Sequence, residues 1–148
     1  MKIAIGNDHV GLDLKIMLES YFKSHRINFV HFGTSTSNRM DYPEVAFKLS
    51  EAVALGEFES GILICGTGIG MSISANKVKG IRSVVCSEPY SAKMAIEHNN
   101  ANILCLGSRV IGSEMAMMIL DSWFGSTYEA GRHQKRVDMI NGYTGGKS

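Results

Sequence analysis

Short runs rich in isoleucine and valine alternate with longer amphipathic stretches along most of this chain. Five short runs read as buried strands, Lys2–Asn7, Ile27–Gly33, Ser60–Gly66, Ile81–Ser87 and Asn102–Gly107, and most close on Gly, Ser or Asn. The longer stretches predict helices over Gly11–His25, Pro43–Leu55, Gly70–Val78, Ser91–His98 and Ser113–Phe124. In the first helix Leu12, Ile16, Met17, Leu18, Tyr21 and Phe22 supply the apolar face, which leaves Asp13, Lys15, Glu19 and Lys23 for water. Strand-then-helix units in succession imply a doubly wound α/β fold, a five-stranded parallel sheet with helices on both faces, followed by a C-terminal helical extension. No repeat, low-complexity tract or linker breaks the rhythm, so residues 1–148 are expected to form a single domain.

Composition removes several partners. Lysine and arginine total 15 against 14 acidic residues, so no bulk charge calls for nucleic acid or an anionic membrane. No run approaches the roughly 18 apolar residues of a membrane span, and the apolar run before Asp8 is too short for a signal peptide. The three cysteines, Cys65, Cys86 and Cys105, each end an apolar run. An odd set placed this way suits reduced thiols, and the expected compartment is the cytoplasm.

Chemistry concentrates after two strands. In a Rossmann-like sheet, ligands bind beyond the carboxyl ends of the strands where the winding reverses, between the first and third strands of a five-stranded order. Asn7-Asp8-His9 follows the first strand, and Cys65 with Gly66-Thr67-Gly68-Ile69-Gly70 follows the third. Alternating glycines let successive N–H groups face one point, and a helix begins directly after them. A sulfur beside such donors is favoured as thiolate and suits a reaction that builds negative charge on an oxygen. The plainer use of a strand-end cysteine is packing, and Cys86 and Cys105 are assigned to it. The glycine loop with Glu88 partly fits a dinucleotide fingerprint, yet Met71 stands where the third glycine belongs and no phosphate-loop lysine is present. An anion hole is therefore preferred to a cofactor site. Asp8 is expected to cap the helix that starts near Gly11, and His9 belongs to a turn or handles an anion or proton. His98-Asn99-Asn100 suits a helix end with a left-handed cap. Arg132 and Arg136 lie four apart, so on a helix they share a face and can grip a phosphate, unless they are simply solvated. Arg109, after the fifth strand, emerges at the crevice.

Taken in order, these residues resemble the type B ribose-5-phosphate isomerases, within the wider family that includes galactose-6-phosphate isomerase subunits. The resemblance is carried by Gly6-Asn7-Asp8-His9-Val10-Gly11, Asp41-Tyr42-Pro43, Ile62 through Gly70, Ala75-Asn76-Lys77, Gly80-Ile81-Arg82, Cys86 through Ala92, His98-Asn99-Asn100, Gly107-Ser108-Arg109-Val110, and Gly131-Arg132-His133 with Arg136. Asn7 departs from it, because many members carry a smaller residue there; little consequence is expected.

The resemblance implies a sugar-phosphate isomerase domain that interconverts ribose 5-phosphate and ribulose 5-phosphate through an enediolate, a step of the pentose phosphate pathway. It makes Cys65 the base between C1 and C2, with Thr67 assisting and the backbone of Gly66, Gly68, Ile69 and Gly70 holding the enediolate oxygen. His98 would move the proton when the furanose opens, and Asn99 would bind a hydroxyl. Asp8 and His9 would contact the substrate, and His9, Arg109, Arg132 and Arg136 would manage its hydroxyls and phosphate. It further implies a homodimer, sometimes a dimer of dimers, with each site built from two chains and no metal or cofactor. A six-carbon substrate, allose or galactose 6-phosphate, is the near alternative. A phosphoacceptor receiver module would need aspartate where Cys65 stands, and a cysteine hydrolase would use Cys65 with His98 through an acyl intermediate.

Overall fold

The computed structural model describes residues 1–144 and holds a five-stranded parallel sheet; the domain boundary expected at Ser148 lies outside the described residues. The strands are β1 (Lys2–Asn7), β2 (Asn28–His31), β3 (Ser60–Cys65), β4 (Ser83–Val85) and β5 (Ile103–Gly107). The helices are α1 (Leu12–Ser24), α2 (Tyr42–Ala54), α3 (Ile69–Ala75), α4 (Pro89–Asn99), α5 (Ser113–Phe124) and α6 (Gln134–Gly142), with a 3-10 turn at Gly131–His133 leading into α6. Among the described residues no helix is long and apolar enough to cross a membrane.

Each parallel connection must cross over the sheet, and right-handed crossovers sort the helices into two layers. Side chains of α1, α4 and α5 pack with Ile3, Ile5, Ile62, Ile64, Leu104 and Leu106 on one face. On the other, α2 and α3 cover Ala4, Leu63, Cys65, Ile103 and Cys105. Ile62, Leu63 and Ile64 are fully buried, each worth about 1.5–3 kcal/mol of burial, so the strand that delivers Cys65 is locked on both sides.

The strand order is β2-β1-β3-β5-β4, which puts β5 beside β3 and leaves β4 at the edge. As a three-residue edge strand, β4 is much shorter than the stretch Ile81–Ser87 that the pattern suggested. Helix α1 also rotates its burial. Leu14 belongs to the core while Ile16 is 51% exposed. Lys15 is buried rather than solvated, with Nζ 3.2 Å from Glu19 Oε1 one turn on; its aliphatic stem covers apolar surface and the carboxylate compensates the charge. The asparagine expected as a left-handed cap is confirmed, since Asn100 closes α4 at φ 47°.

Asn7 matters more than its family departure suggested. It is fully buried, its Nδ2 donates to Asp8 O (2.9 Å) and Thr34 O (3.1 Å), and its Oδ1 faces His31 Nε2 at 2.7 Å. Gly33 lies so close to the Asn7 backbone that a Cβ there would collide with it. The side chain thus ties the end of β1 to the segment leaving β2, directly behind Asp8 and His9.

Candidate active site

Two strand ends build the crevice. Asn7 pairs with Ile64 in register, and the Asp8 N–H donates to Ile64 O at 3.1 Å, so the turns after β1 and β3 lie side by side. The third wall follows β5: Ser108 N–H donates to Cys65 O (2.9 Å) and Arg109 N–H to Gly66 O (3.0 Å). Ser108 Oγ reaches Val10 O at 3.1 Å and Cys65 O at 3.2 Å, which joins all three turns. Asp8 does not cap α1. Its Oδ1 accepts from the N–H groups of Val10 (2.9 Å) and Gly11 (3.0 Å), and the helix begins one residue later without a side-chain cap. The carboxylate holds the turn that presents His9.

Cys65 ends β3 at 5% exposure, and the Gly68 N–H donates to its Sγ at 3.2 Å. That approach requires Gly68 at φ +78°, a left-handed conformation that L side chains avoid. Gly107 makes room for the loop, since a Cβ there would sit 2.8 Å from the Thr67 carbonyl. The exposed Thr67 turns its Oγ1 back to accept from Ile69 N–H at 3.3 Å. Two of the expected anion-hole amides, Gly68 and Ile69, are therefore committed locally. The first helical bond of α3 runs from Ser72 N–H to Gly68 O, so the amides of Gly70 and Met71 have no intrahelical acceptor. The Tyr42 ring lies over Gly70 where a Cβ would otherwise project.

Burial takes two of the thiols out of use. It pushes Cys86 up to about 11, with Glu88 adding to the effect, and Cys105 up to about 12. Neither is a usable base near neutrality. Glu88, considered above as a ribose contact, instead caps α4 by accepting from Tyr90 N–H (2.6 Å) and Ser91 N–H (2.9 Å).

Beside the thiol loop, His9, Val10, Arg39, Met40, Asp41 and Arg109 line a cavity of about 460 Å³. His9 Nδ1 is buried, with no hydrogen-bond partner among the described residues. Sequence reasoning missed Arg39 as a wall of this cavity, because its loop has no periodic pattern. A larger cavity, about 610 Å³, lies between the segment Asn76–Ile81 and the end of α6 and contains none of these groups.

His98, Asn99, Arg132 and Arg136 are not brought to this crevice within one chain. Helix α4 runs back toward the amino ends of the strands, where Arg82 Nε, just ahead of β4, donates to Asn99 O (3.1 Å) and Asn100 O (2.8 Å). Asn102 O accepts from Gly61 N–H at the start of β3, four residues and on the order of 13 Å from Cys65. A Cys65–His98 hydrolase dyad is thus excluded within one chain. At this end the His98 and His133 rings stack, with centroids 4.2 Å apart and planes within 10°. Glu129 Oε2 lies 3.9 Å from His98 Nε2 and 3.6 Å from His133 Nε2. Arg132 Nε donates to His133 Nε2 at 3.4 Å. Burial, His98 and Arg132 hold His133 below the ordinary histidine range. The ligating atoms of His98, Glu129 and His133 fall within 4.8 Å of one another, but the Arg132 N–H already faces the His133 nitrogen.

A parallel α/β sheet with a thiol, a glycine loop and cationic groups at its crevice is the architecture of a small-molecule enzyme for anionic substrates. The Ribose/Galactose Isomerase family model matches residues 3–140, and the chain belongs to that family. It is 53% identical over 139 residues to ribose-5-phosphate isomerase B of Escherichia coli, covering 94% of this chain and 93% of that one. A D-erythrulose-4-phosphate isomerase of Pectobacterium atrosepticum is 40% identical over 144 residues, covering 97% and 95%. The solved structure of Clostridium thermocellum ribose-5-phosphate isomerase B superposes with a TM-score of 0.93 at 48% identity, covering 95% of each chain.

Proposed function

We propose that this chain, acting as one sugar-phosphate isomerase domain, interconverts ribose 5-phosphate and ribulose 5-phosphate. The observation that carries the site reading is the Gly68 amide donating to the Cys65 sulfur beside the His9–Arg109 cavity. Cys65 takes the proton from C2 of the open-chain aldose and returns it at C1. The enediolate that forms between those steps needs donors at its oxygen, and one such backbone donor is worth about 2.7–4 kcal/mol. The Gly70 and Met71 amides, which have no intrahelical acceptor, and the Thr67 hydroxyl would supply them. Asp8 keeps His9 in place through its turn, and His9 with Arg109 binds the hydroxyls or phosphate.

His98, Asn99, Arg132 and Arg136 then act on the crevice of a second copy, His98 in ring opening, Asn99 on a hydroxyl, and the two arginines on the phosphate. This homodimer reading is supported by the separation of the two clusters and by Ile69 and Ile73, which leave apolar surface beside the thiol loop 55% and 60% exposed. Mixing Cys65→Ala chains with His98→Asn chains should restore turnover, because a hybrid dimer contains one intact site; no restoration would remove the shared-site reading. Three free cysteines agree with a reducing, cytoplasmic setting.

Incubation with ribose 5-phosphate in heavy water should yield ketose, with label at C2 of the recovered aldose. Absence of ketose would refute the activity. A second reading concerns chain length, since the family description includes galactose and one relative is named for a four-carbon substrate. Turnover on four-, five- and six-carbon sugar phosphates decides it, and the five-carbon pair is expected to be fastest.

A further inference from the structure

We propose that Glu129 is a positioning residue for ring opening: its carboxylate faces the stacked His98–His133 pair and steadies the proton that His98 carries. The inference rests on the reading of His98 as the group that opens the furanose. Glu129 lies between α5 and the 3-10 turn, in a stretch with no periodic pattern, and nothing in the sequence marked it out.

Three observations converge. The first is placement. Glu129 N–H donates to Glu97 O at 3.0 Å, so its backbone is registered to the last turn of α4, one residue from His98. The second is the choice of partner. Arg132 and Arg136 follow closely in the chain, yet among the described residues the basic side chains within 4 Å of the Glu129 carboxylate are the two imidazoles. An anion beside a phosphate grip weakens that grip, so a binding role does not explain its position. Service to an imidazole does. The third is the arrangement of the rings. Arg132 Nε–H points at His133 Nε2, which makes that nitrogen an acceptor and places the His133 proton on Nδ1. His133 is then a neutral plate against which the His98 ring lies, and the carboxylate is left as counter-charge for His98.

Ring opening balances without an external reagent. The C1–O4 bond breaks, its electron pair goes to O4, C1 and O1 become the carbonyl, the O1 proton departs and O4 gains one. A group that accepts at one oxygen and returns the proton at the other is charged only in the interval. Glu129 stabilises that interval and fixes the ring that moves the proton, as carboxylates that orient catalytic imidazoles do in general.

The test separates ring opening from isomerisation. Ribulose 5-phosphate carries its phosphate on O5 and stays open-chain, so uptake of solvent deuterium at its C1 needs the base but no ring opening. For Glu129→Gln, net conversion of ribose 5-phosphate should fall about tenfold to a hundredfold. Deuterium uptake into ribulose 5-phosphate should stay within about twofold and KM should not rise. Glu129→Asp, which keeps the charge on a shorter arm, should recover part of the conversion. Conversion and exchange falling together, neither changing, or a raised KM with kcat intact would each overturn the proposal. A wild-type protein that converts no ribose 5-phosphate defeats the isomerase reading itself. If His98→Asn leaves the ratio of exchange to conversion unchanged, the ring-opening assignment is what fails.

Discussion

Gly68→Ala, compared with Gly56→Ala, isolates how far the thiol loop depends on close packing. Both glycines sit at φ +78°, so the backbone strain on adding a methyl group is the same in kind. A left-handed alanine costs about 1–2 kcal/mol, of which the stiffer unfolded chain returns about 0.4–1 kcal/mol. At Gly56, nothing lies within 4 Å of the new Cβ, and a net loss of roughly 1 kcal/mol is expected. At Gly68, the Cβ would meet Leu106 C at 3.1 Å, Val85 Cγ1 at 3.2 Å and Cys105 C at 3.3 Å. Two of those atoms are backbone of a fully buried central strand and cannot yield. Overpacking of this kind adds about 1–3 kcal/mol.

Gly68→Ala should therefore lose about 2–4 kcal/mol, and at roughly 2–4 °C per kcal/mol its Tm should fall below that of Gly56→Ala by several degrees. Turnover should divide more sharply. Moving the Gly68 amide off the Cys65 sulfur should cost at least about tenfold in kcat, whereas Gly56→Ala should stay near wild type. Thermal unfolding and initial rates with ribose 5-phosphate read both quantities. Equal Tm losses would refute the packing argument; a destabilised Gly68→Ala with normal turnover would refute the catalytic role of the loop.

Other outcomes follow from the same geometry. Alkylation at about pH 8 should label Cys65 and stop turnover while sparing Cys86 and Cys105, since thiols near 11 and 12 hold at most about one part in a thousand as thiolate there; mapping the adduct by mass spectrometry checks it. Asn7→Ala removes the partners of His31 Nε2 and Thr34 O, while Asp8 O keeps the Gly11 N–H, and should lower unfolding stability by about 2 kcal/mol, as measured in urea. His31 is held below its ordinary value by burial and then by Lys15. The unfolded state therefore binds more protons, and stability should drop as pH falls through about 6.5. His31→Gln should flatten that part of the profile, and an unchanged slope would exclude His31 as its source. Arg136→Ala should mainly raise KM for ribose 5-phosphate, and an unchanged KM would leave the arginine as surface charge.

The crevice was legible because it depends on chain direction alone. Once Lys2–Asn7 and Ser60–Gly66 are read as parallel strands, the turns that follow them must emerge at the same edge, and the β1–β3 pairing sets Asp8 against the Cys65 loop. The position of β5 was not legible, since local pattern carries no information about which strand a crossover will pass. Lys15 was misjudged because a lysine stem buries like an apolar chain once Glu19 answers its charge. The hydrogen bonds of Asn7 were hidden for a related reason: all three reach backbone or side chains outside its own strand, and composition cannot show them.

The placement of His98 was open to deduction. A crossover helix carries the chain from the carboxyl edge of a sheet back to the amino edge, so a residue in its last turn cannot face the crevice of its own subunit. From carbonyl oxygen to phosphorus, a five-carbon sugar phosphate extends on the order of 8 Å, with bonds near 1.5 Å. The two clusters of one chain lie at opposite ends of β3, which alone spans on the order of 13 Å between Gly61 and Cys65. A ligand of that length cannot touch both. Chemistry that needs the thiol loop and the histidine–arginine cluster on one substrate must bring the amino edge of one sheet to the carboxyl edge of another. In that arrangement a symmetric pair yields two identical sites, and association of the chains becomes a condition of turnover rather than an addition to it.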